Sequence, residues 1–177
     1  RRRRSQCFRD DAAVDRLAAA LAAYLQREAG VRKGDRVAVM LPNIAAFPVT
    51  FIAIARLGAV QVNVNPLYTP RELAHQLDDS GAEVIVAYNG ATSTLAEAIG
   101  GTRIRKVLTV GLGDCTAATV AGPEVDRRLS GTVALPAAID RGSSGPPATA
   151  AEVGGQDLLF LQYTGGTTGL SKGAALS

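Results

Sequence analysis

Residues Tyr163 to Gly173 read Y-T-G-G-T-T-G-L-S-K-G, the stretch of the chain whose residue types and spacing best suit chemistry. Gly165, Gly166 and Gly169 remove side chains where a backbone must curl, and glycine adopts positive φ at little steric cost. Successive amide N–H groups can then converge on one anion as a nest. Thr164, Thr167 and Thr168 supply hydroxyls that can bond phosphate oxygens or help hold Mg²⁺. Lys172 adds a positive point charge without demanding a fixed fork geometry. The combination is suited to holding phosphate. Gly and Thr are also common in plain surface connections. Here, however, eleven positions ending in Lys-Gly follow directly on the apolar run Leu158-Leu159-Phe160-Leu161-Gln162-Tyr163, which favours the phosphate reading.

The spacing is not that of the Walker P-loop, which places a glycine directly before the lysine and a Ser or Thr after it. Ser171 precedes Lys172 and Gly173 follows it, so the GTPase and kinase-like readings lose their main support. Other chemistries have less to work with. His75 is the sole histidine, so neither a His cluster for a metal nor a His partner for a serine nucleophile is available. Cys7 and Cys115 are far apart and show no C-x-x-C spacing; with no signal peptide in view they read as thiols of a reducing compartment.

The elements that must position this stretch follow from periodicity. Asp11 to Ala29 carries Val14, Leu17, Leu21 and Leu25 at helical spacing, with Gly30 as a stop. Arg36 to Leu41 reads as a strand, and Pro42-Asn43 opens a helix reaching about Leu57, which Pro48 either kinks or delays to near Phe47. Ala59 to Val64 is the next strand. Thr69-Pro70-Arg71-Glu72 is a helix start, with Thr as N-cap, Pro at the first helical position and Glu completing a capping box. Leu73 and Leu77 should face inward and Gly81 should end that helix. Glu83 to Ala87 is a strand, Thr92 to Ile99 a helix, and Lys106 to Val110 a strand. This alternation predicts an α/β fold, a mainly parallel sheet with helices on both faces. From Gly111 to Gln156 the periodicity fades into Gly, Pro, Ala, Ser and Thr, which predicts a surface excursion with one short helix near Asp126.

The 177 residues suit one core, and 47% hydrophobic against 20% charged residues suits a globular chain. The formal charge is +3, but Arg1 to Arg4 supply four of the nineteen basic residues; fifteen remaining against sixteen acidic ones leave −1. No nucleic-acid surface is implied, and the arginine run reads as a solvated or artefactual terminus. The longest apolar stretch, Ile44 to Ala55, is twelve residues, short of the ~20 a bilayer span needs. It reads as a buried helix, and any membrane contact is expected to be peripheral.

The loop resembles the phosphate-loop signature of the AMP-forming adenylate synthetases, the superfamily of acyl-CoA ligases, luciferases and peptide-synthetase adenylation domains. Most members carry proline where this chain has Ser171. The Gly-Gly variant looks most like the bacterial long-chain fatty-acid–CoA ligases. Residues 34 to 86, from G-D-R-V-A-V-M-L-P-N through R-L-G-A-V-Q-V-N-V-N-P-L-Y-T-P-R-E-L, are similar to the N-terminal region of the same ligases.

The resemblance implies a partial N-terminal subdomain of an adenylate-forming enzyme. Residues 1–10 would be an unmatched, disordered or artefactual start, 11–110 the α/β subdomain, 111–156 an irregular insertion or linker, and 157–177 a strand plus the ATP phosphate loop of a truncated domain. Ala174 to Ser177 would be too short to pair securely. The implied reaction joins a long-chain fatty acid to coenzyme A through an acyl-adenylate, with ATP cleaved to AMP and pyrophosphate and Mg²⁺ as the ion that accompanies it. Thr164 to Gly169 would wrap the β- and γ-phosphates, flanked by Tyr163 and Gly173, while Lys172 stabilises leaving pyrophosphate and Thr167 is the second catalytic candidate. The fragment alone is expected to be inactive, its parent cytoplasmic or peripheral on the inner face of the membrane. Two alternatives stay open: a non-catalytic nucleotide- or phosphate-binding remnant, and an adenylating enzyme for another carboxylic acid.

Overall fold

The computed structural model describes residues 11–164 and 172–177, with Thr164 and Lys172 described by backbone alone. The first helix, α1 (Asp11–Arg27), buries Leu21, Tyr24 and Leu25 on the face its spacing predicts. Strand β1 (Arg36–Met40) follows, then α2 (Ala46–Arg56), β2 (Val60–Asn63), α3 (Pro70–Ser80), β3 (Val84–Tyr88), α4 (Thr92–Ala98) and β4 (Lys106–Val110). The remaining elements are β5 (Val133–Ala134), α5 (Leu135–Ser143), β6 (Phe160–Thr164) and β7 (Lys172–Leu176).

The described strands form one sheet in the order β5-β4-β3-β1-β2-β6-β7. All neighbours are parallel except β6 and β7, which run antiparallel. The chain leaves β1 for β2, then crosses back to β3 on the other side of β1. Right-handed crossovers in opposite directions must lie on opposite faces. Accordingly Val37, Val39, Val84, Val86, Leu108 and Val110 pack with α1, α2 and α5 on one face. Ala38, Met40, Val62, Ile85 and Val107 pack with α3 and α4 on the other. Strands covered on both faces read as near-continuous apolar runs, as V-A-V-M and V-I-V-A do here.

The α3 boundaries match their sequence signals. Thr69 Oγ1 accepts from Glu72 N, Glu72 Oε2 accepts from Thr69 N at 2.8 Å, and Gly81 ends the helix at φ +65°. Helix α2 starts at Ala46, beside the delayed start near Phe47 that Pro48 allows; Pro48 is its third residue, inside the first turn, where no intrahelical acceptor awaits its missing N–H. Two details differ from expectation. Around Asp126 there is a turn rather than a helix: Asp126 Oδ1 accepts from the Arg128 backbone N–H at 2.9 Å. The helix of this stretch is α5, with proline in its first turn and Leu135, Ala138, Ile139 and Gly142 buried. Finally, the segment after the glycine-threonine stretch does pair. Its strand starts at Lys172 rather than Ala174, so the ladder runs from Thr164↔Lys172 to Phe160↔Leu176.

Candidate functional site

A cavity of about 470 Å³ opens at the carboxyl ends of β1, β2 and β6, lined by Val39, Leu41, Phe47, Asn63, Gln162 and Tyr163 among others. In open parallel sheets this end, next to the point where strand order reverses, is where ligands bind. Period two alternation sorts the strand residues between the faces. Phe160 and Gln162 turn to the α2 side, where Phe160 stacks on Phe51 at 5.0 Å between ring centroids. Tyr163 turns to the α3 side and is buried in its cluster.

Three amides run in one direction from the core to the cavity. Gln61 Nε2 donates to Asn63 Oδ1 at 2.7 Å, and Asn63 Nδ2 donates to Gln162 Oε1 at 2.7 Å. Gln61 is fully buried and its Oε1 has no partner. The last amide of the series, Gln162, is exposed at the mouth, where it offers a donor beside the apolar wall of Phe47, Val39 and Leu41. Sequence reasoning passed over these residues. The signal was present as glutamine and asparagine alternating with valine in V-Q-V-N-V, polar side chains at interior positions of a strand.

The candidates from the Tyr163 to Gly173 stretch divide into two groups. Gly165, Gly166, Thr167, Thr168 and Gly169, with Leu170 and Ser171, lie outside the described residues. The flanking ones are brought together: Tyr163 pairs with Gly173, and the backbone of Thr164 pairs with that of Lys172. A Cβ on Gly173 would stand 3.1 Å from Tyr163 Cζ and 3.2 Å from Cε2, so the glycine makes room for the ring to lie over β7. Tyr163 Oη donates to Asp79 Oδ2 at 2.6 Å. Burial, and then the Asp79 carboxylate, push the phenol well above its ordinary range, so it stays a donor.

The other candidates from sequence sit apart from this end. His75 is half-buried on α3, and Cys115 is buried in the α1–α2 cluster. Among the described residues no group of three or more His, Cys, Asp or Glu side chains could hold a metal, and no helix is long and apolar enough to cross a membrane.

Comparison with known proteins gives a consistent result. The profile of a family described as "AMP-binding enzyme" matches residues 12–177. A long-chain-fatty-acid–CoA ligase of Salmonella typhimurium is 44% identical over 169 residues, which cover 89% of this chain and 30% of that protein. A solved structure of a long-chain-fatty-acid-CoA ligase from Archaeoglobus fulgidus superimposes with a TM-score of 0.72 at 29% identity, over 93% of this chain and 29% of the other. An anthranilate CoA ligase shares the fold with a TM-score of 0.77 at 24% identity, over 93% of this chain and 29% of the other. The chain thus spans about 30% of the length of the ligase relatives it matches.

Proposed function

Because this chain belongs to the AMP-binding enzyme family, we propose that it is the N-terminal part of an AMP-forming acid–thiol ligase acting on long-chain fatty acids. The observation that carries this is the 44% identity to long-chain ligases over nearly the whole chain. Tyr163, which opens the glycine-threonine stretch, lines the crevice, and the residue types that follow it support the chemistry. In this reading 11–110 is the N-terminal subdomain, 111–156 the segment whose β5 and α5 complete its sheet edge and core, and 157–177 the strand and phosphate loop of the nucleotide site. Activity is in the cytoplasm, with membrane contact at most peripheral on its inner face.

The reaction has two steps. A fatty-acid carboxylate attacks the α-phosphorus of ATP, forming the acyl-adenylate as the bond to pyrophosphate breaks. The coenzyme A thiol, losing its proton, then displaces AMP to give the thioester. The first step brings an anion to a polyanion, so fixed groups that neutralise phosphate charge lower its barrier. Thr164 to Gly169 bind the β- and γ-phosphates through backbone N–H and hydroxyl groups. Tyr163 and Gly173 hold the stem, Lys172 stabilises the departing pyrophosphate, and Thr167 contributes a hydroxyl to the same charge. Mg²⁺ comes with the nucleotide, whose phosphate oxygens suit that hard cation.

The test is product analysis with the full-length protein, ATP, coenzyme A and a panel of acids. Palmitoyl- and oleoyl-CoA with stoichiometric AMP are expected. Thioesters of aromatic acids or amino-acid adenylates instead would replace the substrate class, and saturable ATP binding with no product would favour a non-catalytic remnant.

A further inference from the structure

The ends of β2 and β6 that border the crevice are both tied to α3. Gln76 Nε2 donates to Asn63 O at 2.8 Å, and Tyr163 Oη donates to Asp79 Oδ2 at 2.6 Å. Gln76 and Asp79 are three residues apart and hence neighbours on one stripe of the helix. The helix is itself fixed at its start by the Thr69–Glu72 capping box and at its end by Gly81. On the strand side, the Tyr163 ring lies over Gly173 of β7. One phenol is therefore held at its hydroxyl by α3 and at its face by β7, on the two strands that flank residues 165–171. Asp79 is exposed and makes no ion pair among the described residues.

We infer that Asp79 is a positioning residue for nucleotide binding: by accepting the Tyr163 phenol it sets where the β6–β7 stem begins and ends the phosphate-binding stretch. The inference rests on the ligase reading above. Without this acceptor the buried phenol loses its partner and must turn toward water or stay unpaired. Either way α3 no longer fixes the ring over Gly173, nor, through it, the two backbones that pair at Thr164 and Lys172. A carboxamide at position 79 still presents an oxygen to the phenol, so charge is not what the position requires.

The experiment uses the full-length protein and reads ATP affinity by calorimetry beside KM and kcat for acid-dependent pyrophosphate exchange. Asp79→Ala and Tyr163→Phe are each expected to weaken ATP binding and raise its KM about three- to tenfold, the worth of one hydrogen bond, with kcat little changed. Asp79→Asn should restore wild-type affinity, and the double variant should be no worse than either single one. A fall in melting temperature with ATP affinity unchanged would reduce the contact to a structural one and overturn the inference, as would Asp79→Asn behaving like Asp79→Ala. If the wild type itself neither binds ATP nor exchanges pyrophosphate, the ligase reading falls and takes this inference with it.

Discussion

Phe51 of α2 lies flat on Phe160 of β6, with ring centroids 5.0 Å apart and planes 9° from parallel. The pair joins the first crossover helix to the strand that precedes the glycine-threonine stretch, although 109 residues separate them. Offset aromatic pairs contribute about 0.5–1.5 kcal/mol beyond the area they bury. A double-mutant cycle of Phe51→Leu and Phe160→Leu, followed by urea unfolding, should return a coupling energy in that range. A coupling near zero would mean that β6 is held by its neighbours in the sheet alone.

Helices α1 and α5 approach more closely than a side chain would allow. A Cβ on Gly142 would overlap the carbonyl oxygen of Ala20, a backbone atom that cannot swing aside. Gly142→Ala is expected to destabilise the fold by about 1–3 kcal/mol or more. Gly100→Ala is the control. Nothing lies within 4 Å of its added Cβ, so its effect should stay within about 0.5 kcal/mol. Chemical denaturation of both variants separates close packing from loss of backbone freedom.

The acid limb of stability should follow two half-buried carboxyls. Hydrogen bonds from the Arg128 guanidinium and backbone N–H hold Asp126 down at about 2, below its ordinary 3.8. Lys33, then the Gly154 N–H, hold Asp157 down in the same direction. A carboxyl depressed in the folded state prefers its charged form there. Its contribution is complete above the unfolded value and is lost as pH falls through the folded one. The urea midpoint should therefore decline between about pH 4 and pH 2, and Asp126→Asn should flatten that decline. An equally steep decline in the variant would move the effect to other groups.

Most of the fold was legible because its signals are local. Thr69, Pro70, Glu72 and Gly81 announce both ends of α3 within thirteen residues, and the apolar strands show in V-A-V-M and V-I-V-A. Helix α5 was harder to see. Its apolar stripe is small residues around Leu135 and Ile139, and a composition rich in Ala, Gly and Pro resembles a loop. Its stability comes from packing on α1. The pairing of β7 was missed because its first residues, Lys172 and Gly173, read as loop chemistry while their backbones already belong to the ladder. In the site, residue types pointed to phosphate without any geometry. The amides of Gln61, Asn63 and Gln162, and above all the contact of Tyr163 with Asp79, 84 residues apart, follow from strand order and crossover direction. No local pattern encodes them.

In the proposed reading this chain carries the nucleotide-phosphate half of an acid-activating site, with Lys172 stabilising pyrophosphate. The most direct measurement is fatty-acid-dependent exchange of labelled pyrophosphate into ATP by the full-length protein, wild type beside Lys172→Ala. Exchange by the wild type should require a long-chain acid. In the variant it should fall by about 100-fold or more, on the scale of removing one transition-state charge contact, with the melting temperature kept. Undiminished exchange in Lys172→Ala, or wild-type exchange that ignores the acid, would contradict this role.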